Sequence, residues 1–146
     1  MTPLKIGPAG RAKSNRIGNG DVRIDDVQSL RAAIKVRDKI LFIDLYDVVS
    51  IQARGNCVSF DRKESSFLLR GSISAVAQRL ATHGFIRIHR SVLVNKLFVE
   101  EIRPLATGEY RLRVEGGREF TVSRGYKSNI KSFADSWIGK GAFFSS

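Results

Sequence analysis

Between Ala33 and Val122 the chain is cut by turn residues into short β-prone runs, and that spacing leaves room for little except antiparallel strands and hairpins. Runs 33–36, 39–44, 47–53, 57–60 and 66–70 are rich in Val, Ile, Leu and Phe. They are separated by Arg37-Asp38, Arg54-Gly55-Asn56 and the polar stretch after Asp61. Runs 85–88, 98–102 (leading to Pro104) and 109–114 continue the series, and Gly116-Gly117 reads as a two-residue hairpin turn with 119–122 as the return strand. In the 109–114 run the period of two sends Tyr110, Leu112 and Val114 inward and Arg111 and Arg113 outward. The strand aromatics are expected to turn toward the core.

Two segments break this period. Ile73, Val76, Ala77 and Leu80 fall at i, i+3, i+4 and i+7, which predicts a helix over 72–82 with Ser72 as N-cap and Gly84 as its stop. Tyr126, Ile130, Phe133, Ala134 and Trp137 repeat the spacing, with Ser123 as N-cap, Gly139 and Gly141 ending the pattern, and Arg124, Lys127, Asn129 and Lys131 on the opposite face. The expected fold is mainly β: an antiparallel β-sheet or sandwich with one short internal helix and one C-terminal helix. A length of 146 residues suits one domain with tails. Residues 1–28 read as a basic arm without fixed structure, 29–139 as the folded unit and 140–146 as a flexible tail. Up to Arg23 the arm carries Lys5, Arg11, Lys13, Arg16 and Arg23 against Asp21 alone. It suits a nucleic-acid backbone or no partner at all.

Charge supplies the functional direction. Lys and Arg number 25 against 14 Asp and Glu, a net +11, and the isoelectric point is near 10.4. Such a chain suits nucleic acid, an anionic membrane surface, or simple solubility. The distribution is uneven: no acidic residue occurs between Glu64 and Glu100, a stretch that holds Arg70, Arg79, Arg87, His89, Arg90 and Lys96. The knot His89-Arg90-Ser91 lies between two apolar runs and reads as a projecting turn. Arg90 suits the paired acceptors of guanine or a narrow minor groove, while Ser91 and Lys96 suit phosphate. His89 serves either as a contact or as a hydrogen-bonded support of the turn. Arg124 and Lys127 beside the start of the last helix form a second basic element. Arg54 and Asn56 form a third, where Asn56 suits adenine or just the geometry of a turn.

Catalytic patterns are missing from the sequence. No Cys-x-x-Cys, His-Glu-x-x-His or Walker-type loop occurs. The single Cys57 allows no intramolecular disulfide, which points to a reducing cytoplasm, and its pairing with His89 would need the fold to bring them together. Glu100 and Glu101, as strand neighbours, should point to opposite faces. No run approaches the ~20 apolar residues of a membrane span. The reading is therefore of a non-enzyme with no cofactor, no metal, no membrane and no small-molecule substrate.

The run Phe85-Ile86-Arg87-Ile88-His89-Arg90-Ser91-Val92-Leu93-Val94-Asn95 resembles the hallmark of LytTR DNA-binding domains, F-x-R-x-H-R-S followed by hydrophobic-x-V-N. Asp47 to Val58 resembles the family's strand–turn–strand with its E-A-x-G-N-Y-V ending, and Glu119 to Tyr126 its terminal V-S-R-x-Y run leading into a helix. Gln52, Cys57 and Gly125 stand where the family often has Glu, Tyr and Arg. The resemblance implies a bacterial transcription regulator whose loops, rather than the recognition helix of a helix-turn-helix, enter DNA grooves. It further implies double-stranded DNA as partner, at direct repeats in promoters, with two copies side by side. Carried over by position, Asn56, His89, Arg90, Arg124 and Lys127 are the contact candidates, and Asn95 is a structural hydrogen-bonder. The alternative from another class is a protein-interaction module using a sheet edge or the Tyr126, Phe133 and Trp137 face; RNA binding on the sheet is a third.

Overall fold

The computed structural model describes residues 14–17, 21–26, 31–36 and 38–138. The described residues form three sheets and two α-helices. In chain order the strands are β1 (Ser14–Ile17), β2 (Asp21–Asp26), β3 (Arg31–Val36), β4 (Lys39–Asp44), β5 (Val48–Arg54), β6 (Cys57–Arg62) and β7 (Ser66–Arg70). After helix α1 (Ile73–Leu80) come β8 (Phe85–His89), β9 (Val92–Asn95), β10 (Val99–Pro104), β11 (Tyr110–Val114), β12 (Glu119–Val122) and helix α2 (Lys127–Ile138).

The central sheet has the order β1-β7-β6-β5-β9-β8, and β2-β3-β4 and β10-β11-β12 form the smaller sheets. Strand alternation lets the central sheet feed two cores. Val48, Ile51, Val58, Phe60, Leu69, Phe85 and Leu93 join Ala32 and Ile43 of the β2-β3-β4 sheet and Ile73, Val76 and Leu80 of α1. Val49, Ile86, Ile88 and Val94 join Tyr110, Leu112 and Val114 of β11, Val122 of β12, and Ile130 and Phe133 of α2. Val48 and Ile51 keep one face, three residues apart, because the β5–β6 register slips between Val48 and Ser50.

The mainly β expectation and both helices match the structure. Helix α1 buries Ile73, Val76 and Leu80, and the Ser72 hydroxyl accepts from the Ala75 N–H at 3.1 Å. Ser72→Ala is therefore expected to cost about 1 kcal/mol, read as a lower urea midpoint with unchanged slope. Helix α2 buries Ile130, Phe133 and Ala134; the Trp137 side chain lies outside the described residues.

Several details differ. Strands β1 and β2 fall within the segment expected to lack structure, and β1 pairs with β7 in parallel. In β2 the alternation of Val22 and Ile24 with charged residues carries the strand period through a basic, glycine-rich surrounding. The Gly116-Gly117 turn is part of a longer 115–118 connection, closed by the Val114 N–H donating to Arg118 O at 2.9 Å. Phe42 faces outward, 48% exposed, with the Arg31 guanidinium 5.1 Å from its ring centre. The β4 run is apolar from Ile40 to Ile43, so hydropathy alone does not choose its inner face; Ile43 is buried and Leu41 packs against the core.

Candidate nucleic-acid interface

Strand pairing brings three sequence-remote turns to one end of the sandwich. Arg54 pairs with Cys57, so β5 and β6 are joined by the two residues Gly55-Asn56. Gly55 has φ +62°, a left-handed conformation that glycine adopts without a Cβ penalty. Val92, the first residue of β9, lies opposite Gln52 near the end of β5. The 89–91 turn therefore stands beside the 54–56 turn, and the Ala53 N–H donates to Ser91 O at 2.9 Å. Arg70 pairs with Cys57, and the Gly71 N–H donates to Asn56 O at 3.0 Å, which places Arg70 at the same end.

The third turn is attached through a β-bulge. Between Arg87 and His89 the β8–β9 register slips by one residue. At the slip, Ile88 O accepts from the Ser123 N–H at 3.0 Å. One residue earlier, Arg87 O accepts from Asn129 Nδ2 at 2.9 Å. Strand β8 is an edge of the central sheet, and these bonds cover part of that edge with the start of α2. Ser123 occupies the predicted cap position, ahead of a 3-10 turn, Arg124–Tyr126, that precedes α2; it makes no side-chain cap bond, and its own N–H goes to Ile88 O. On the far side, Gly108 holds φ +93°, a conformation strained for any residue with a Cβ, and a Cβ there would also press to 3.2 Å from Arg124 Cδ in the neighbouring turn.

Arg87 braces the assembly from within. Its Nε donates to His89 O at 3.3 Å, its Nη2 donates to Arg90 O, and its guanidinium lies 5.6 Å from the Tyr126 ring centre. The side chain thereby joins the 89–91 turn to the 124–126 turn. His89 provides the support foreseen for it: the Ser91 N–H donates to Nδ1 at 3.2 Å, and Ser91 Oγ lies 2.9 Å from the same nitrogen. A backbone N–H only donates, so Nδ1 is the acceptor and Nε2 of the neutral ring carries the proton. That leaves a donor on the ring for an external acceptor. With Nδ1 engaged this way, His89 is not arranged as a general base for Cys57.

Arg54, Asn56, Arg70, Arg90 and Arg124 are exposed at this end, and Lys127 is half-buried at the start of α2. Among the described residues none of these cations forms an ion pair. Glu109, in the neighbouring turn, accepts from Thr107 Oγ1 at 3.2 Å rather than meeting a cation. The β10-β11-β12 sheet shows the contrast. Arg103 meets Glu101 at 3.4 Å, Arg111 meets Glu119 at 3.3 Å, and Arg113 meets Glu101 at 2.6 Å and Glu100 at 3.5 Å. Glu100 and Glu101 therefore reach the same arginine. The expected separation onto opposite faces fails because the β10–β11 register slips between Val99 and Glu101.

Lys96 is not brought to the three turns. It follows Asn95 at the other end of β9, about 10 Å along the strand from Val92, where its N–H donates to Gly84 O at 2.9 Å and its Nζ lies 5.7 Å from the Phe133 ring centre. Sequence reasoning counted Arg70 and Arg87 among the basic residues of the acid-free stretch but did not name them as part of the site; the strand register carries the first there and the bulge the second. Among the described residues no helix is long and apolar enough to cross a membrane.

The family model described as the LytTr DNA-binding domain matches residues 38–135. The sensory transduction protein LytT of Bacillus subtilis is 27% identical over 69% of this chain and 42% of its own length. The sensory transduction protein LytR of Staphylococcus saprophyticus is 26% identical over 67% of this chain and 39% of its own. This chain thus spans about two-fifths of the length of these relatives. The fold is shared with a solved LytTr DNA-binding domain of a putative methyl-accepting/DNA response regulator from Bacillus cereus, with a TM-score of 0.61 at 22% identity, over 71% of this chain and 95% of that one. With the family model covering well over half of its residues, including all three turns, the chain belongs to the LytTr DNA-binding domain family.

Proposed function

We propose that this chain reads base order in duplex DNA through the 54–56, 89–91 and 123–127 turns and regulates transcription in the bacterial cytoplasm, without performing a reaction of its own. The observation that carries the reading is the segregation of cations: those at the three turns lack carboxylate partners among the described residues, while Arg103, Arg111 and Arg113 of the β10-β11-β12 sheet are paired. Unpaired guanidinium groups on braced turns suit base edges and phosphates, because their donors are uncommitted and the backbone that carries them is held. Arg90 and Asn56 are assigned to base edges. Arg54, Ser91, Arg124 and Lys127 are assigned to phosphate, with the N–H groups at the start of α2 adding to the attraction. Residues 29–139 form the DNA-binding unit, and direct repeats would seat two copies in the same orientation.

Selection of bound duplexes from a random pool tests the reading: a defined motif is expected, and a pool that stays random sinks it. Lys127→Ala is expected to weaken selected and unrelated duplexes alike and to flatten the slope of log K against log salt by about one unit. Fluorescence anisotropy over a salt series measures both. A protein-docking role is the second reading, favoured by Ile40, Phe42, Tyr46 and Leu97, which are 48–64% exposed away from the three turns. Recovery of a protein partner with no selected DNA motif would favour it.

A further inference from the structure

A cleft of about 350 Å³ opens along the β8 edge between α1 and α2, within the size range of small-molecule sites. It lies in the seam between the two cores: Phe85 and Leu93 come from one, Ile86 and Phe133 from the other. Its charged lining is Arg87 and Lys96, and among the described residues no carboxylate lines it. Asn129, Ser132 and Ser136 add neutral polar groups from α2. An apolar floor with two cations at its rim suits one chemical class, a small organic anion with an apolar body.

Two of these lining residues hold the turns described above. Arg87 donates to the carbonyls of His89 and Arg90, and Asn129 donates to the carbonyl of Arg87. A carboxylate is a stronger acceptor for a guanidinium than a peptide carbonyl is. A carboxylate seated in the cleft therefore draws Arg87 away from the 89–91 turn and loosens the element that presents Arg90.

We propose that this cleft is an effector site for a medium-chain or aryl carboxylate, which lowers sequence-specific DNA affinity by competing for Arg87. The regulatory half of the proposal rests on the DNA-reading function above; the binding half does not. By linkage, bound DNA weakens the carboxylate by the same factor that the carboxylate weakens DNA.

The test uses the full chain, with octanoate as probe and octanol, octylamine and acetate as controls. Amide shifts in a nuclear magnetic resonance titration are expected at Phe85, Ile86, Arg87, Lys96 and Asn129, saturating below about 1 mM, a modest affinity for a ligand of this size. Octanol and octylamine should bind at least about tenfold more weakly. Saturating octanoate should reduce affinity for the selected duplex about tenfold, while acetate at equal ionic strength should not. Ala81→Trp fills the mouth of the cleft from an exposed position; it should abolish octanoate binding and leave DNA affinity within about twofold of the parent. Equal binding of octanol and octanoate, shifts elsewhere on the protein, or full octanoate binding by Ala81→Trp would overturn the site. Unchanged DNA affinity at saturation would overturn the coupling. If no duplex motif is selected at all, the titration without DNA still decides the site.

Discussion

Replacing Arg90 with alanine is expected to weaken binding to the selected duplex by about 1–3 kcal/mol, or roughly 5- to 150-fold, and to erase the preference at one base position. The size follows from what the turn has already fixed. The Arg90 carbonyl is held by Arg87, and the following Ser91 is bonded to the His89 ring. The guanidinium therefore begins from a braced backbone and loses less freedom on binding than a side chain on an open loop. Arg90 is exposed and without an ion pair among the described residues, so no internal carboxylate has to be released first. Repeating the duplex selection with Arg90→Ala reads the result directly. The expected motif has one degenerate position and is otherwise that of the parent. A motif identical to the parent's, at unchanged affinity, would remove Arg90 from the interface.

The contrast with Lys127 separates the two kinds of contact. A phosphate contact lowers affinity for every duplex and changes the salt slope, whereas a base contact changes the ranking of duplexes. Arg87 belongs to neither kind. It is half-buried and spends its donors on main-chain carbonyls, so its part is to position the turns.

Most of the architecture was legible because the strand and helix periods are strong where the cores lie. Tyr110, Leu112 and Val114 point inward as their alternation demands, and Ile73, Val76 and Leu80 share the buried face of α1. Two departures around the candidate site and the β10-β11-β12 sheet originate in register. A slip of one residue between Val99 and Glu101 brings two neighbouring glutamates to Arg113. A second slip, between Arg87 and His89, leaves the Ile88 carbonyl bonded to Ser123. Bulges of this kind leave no mark on hydropathy, so a period of two read from sequence carries straight through them. Candidate residues were found where they lie on turns, but their assembly depended on pairing between β5 and β9, which are separated by some forty residues. Lys96 was grouped with them on sequence proximity to Arg90, and the intervening strand carries it to the other end.

Asn95→Ala is expected to destabilise the protein by about 2–4 kcal/mol while leaving the DNA-facing turns intact. Asn95 is 3% exposed and closes β9 at the end away from those turns. Its Nδ2 donates to Leu45 O at 3.1 Å and Val48 O at 2.9 Å, and its Oδ1 accepts from the Leu97 N–H at 3.0 Å. One amide thus fixes the two 3-10 turns, Leu45–Asp47 and Lys96–Phe98, that lead out of β4 and β9. Leu45 O also accepts from the Val48 N–H, so alanine leaves that carbonyl with one bond; the Val48 carbonyl and the Leu97 N–H lose the bonds that Asn95 made. Leaving such groups unpaired in a buried site costs more than the bond itself contributed. For a domain of this size the melting temperature should fall by about 8–17 °C. Asn95→Asp should be worse, because it sets a carboxylate against two carbonyl oxygens. At a temperature where Asn95→Ala is fully folded, its DNA affinity should stay within about threefold of the parent, since 2–4 kcal/mol of lost stability acts on the fraction folded rather than on the contacts. A melting point within about 2 °C of the parent would mean that water replaces the amide at that site, and a stable variant that no longer binds DNA would mean that the two ends of the sandwich are not independent.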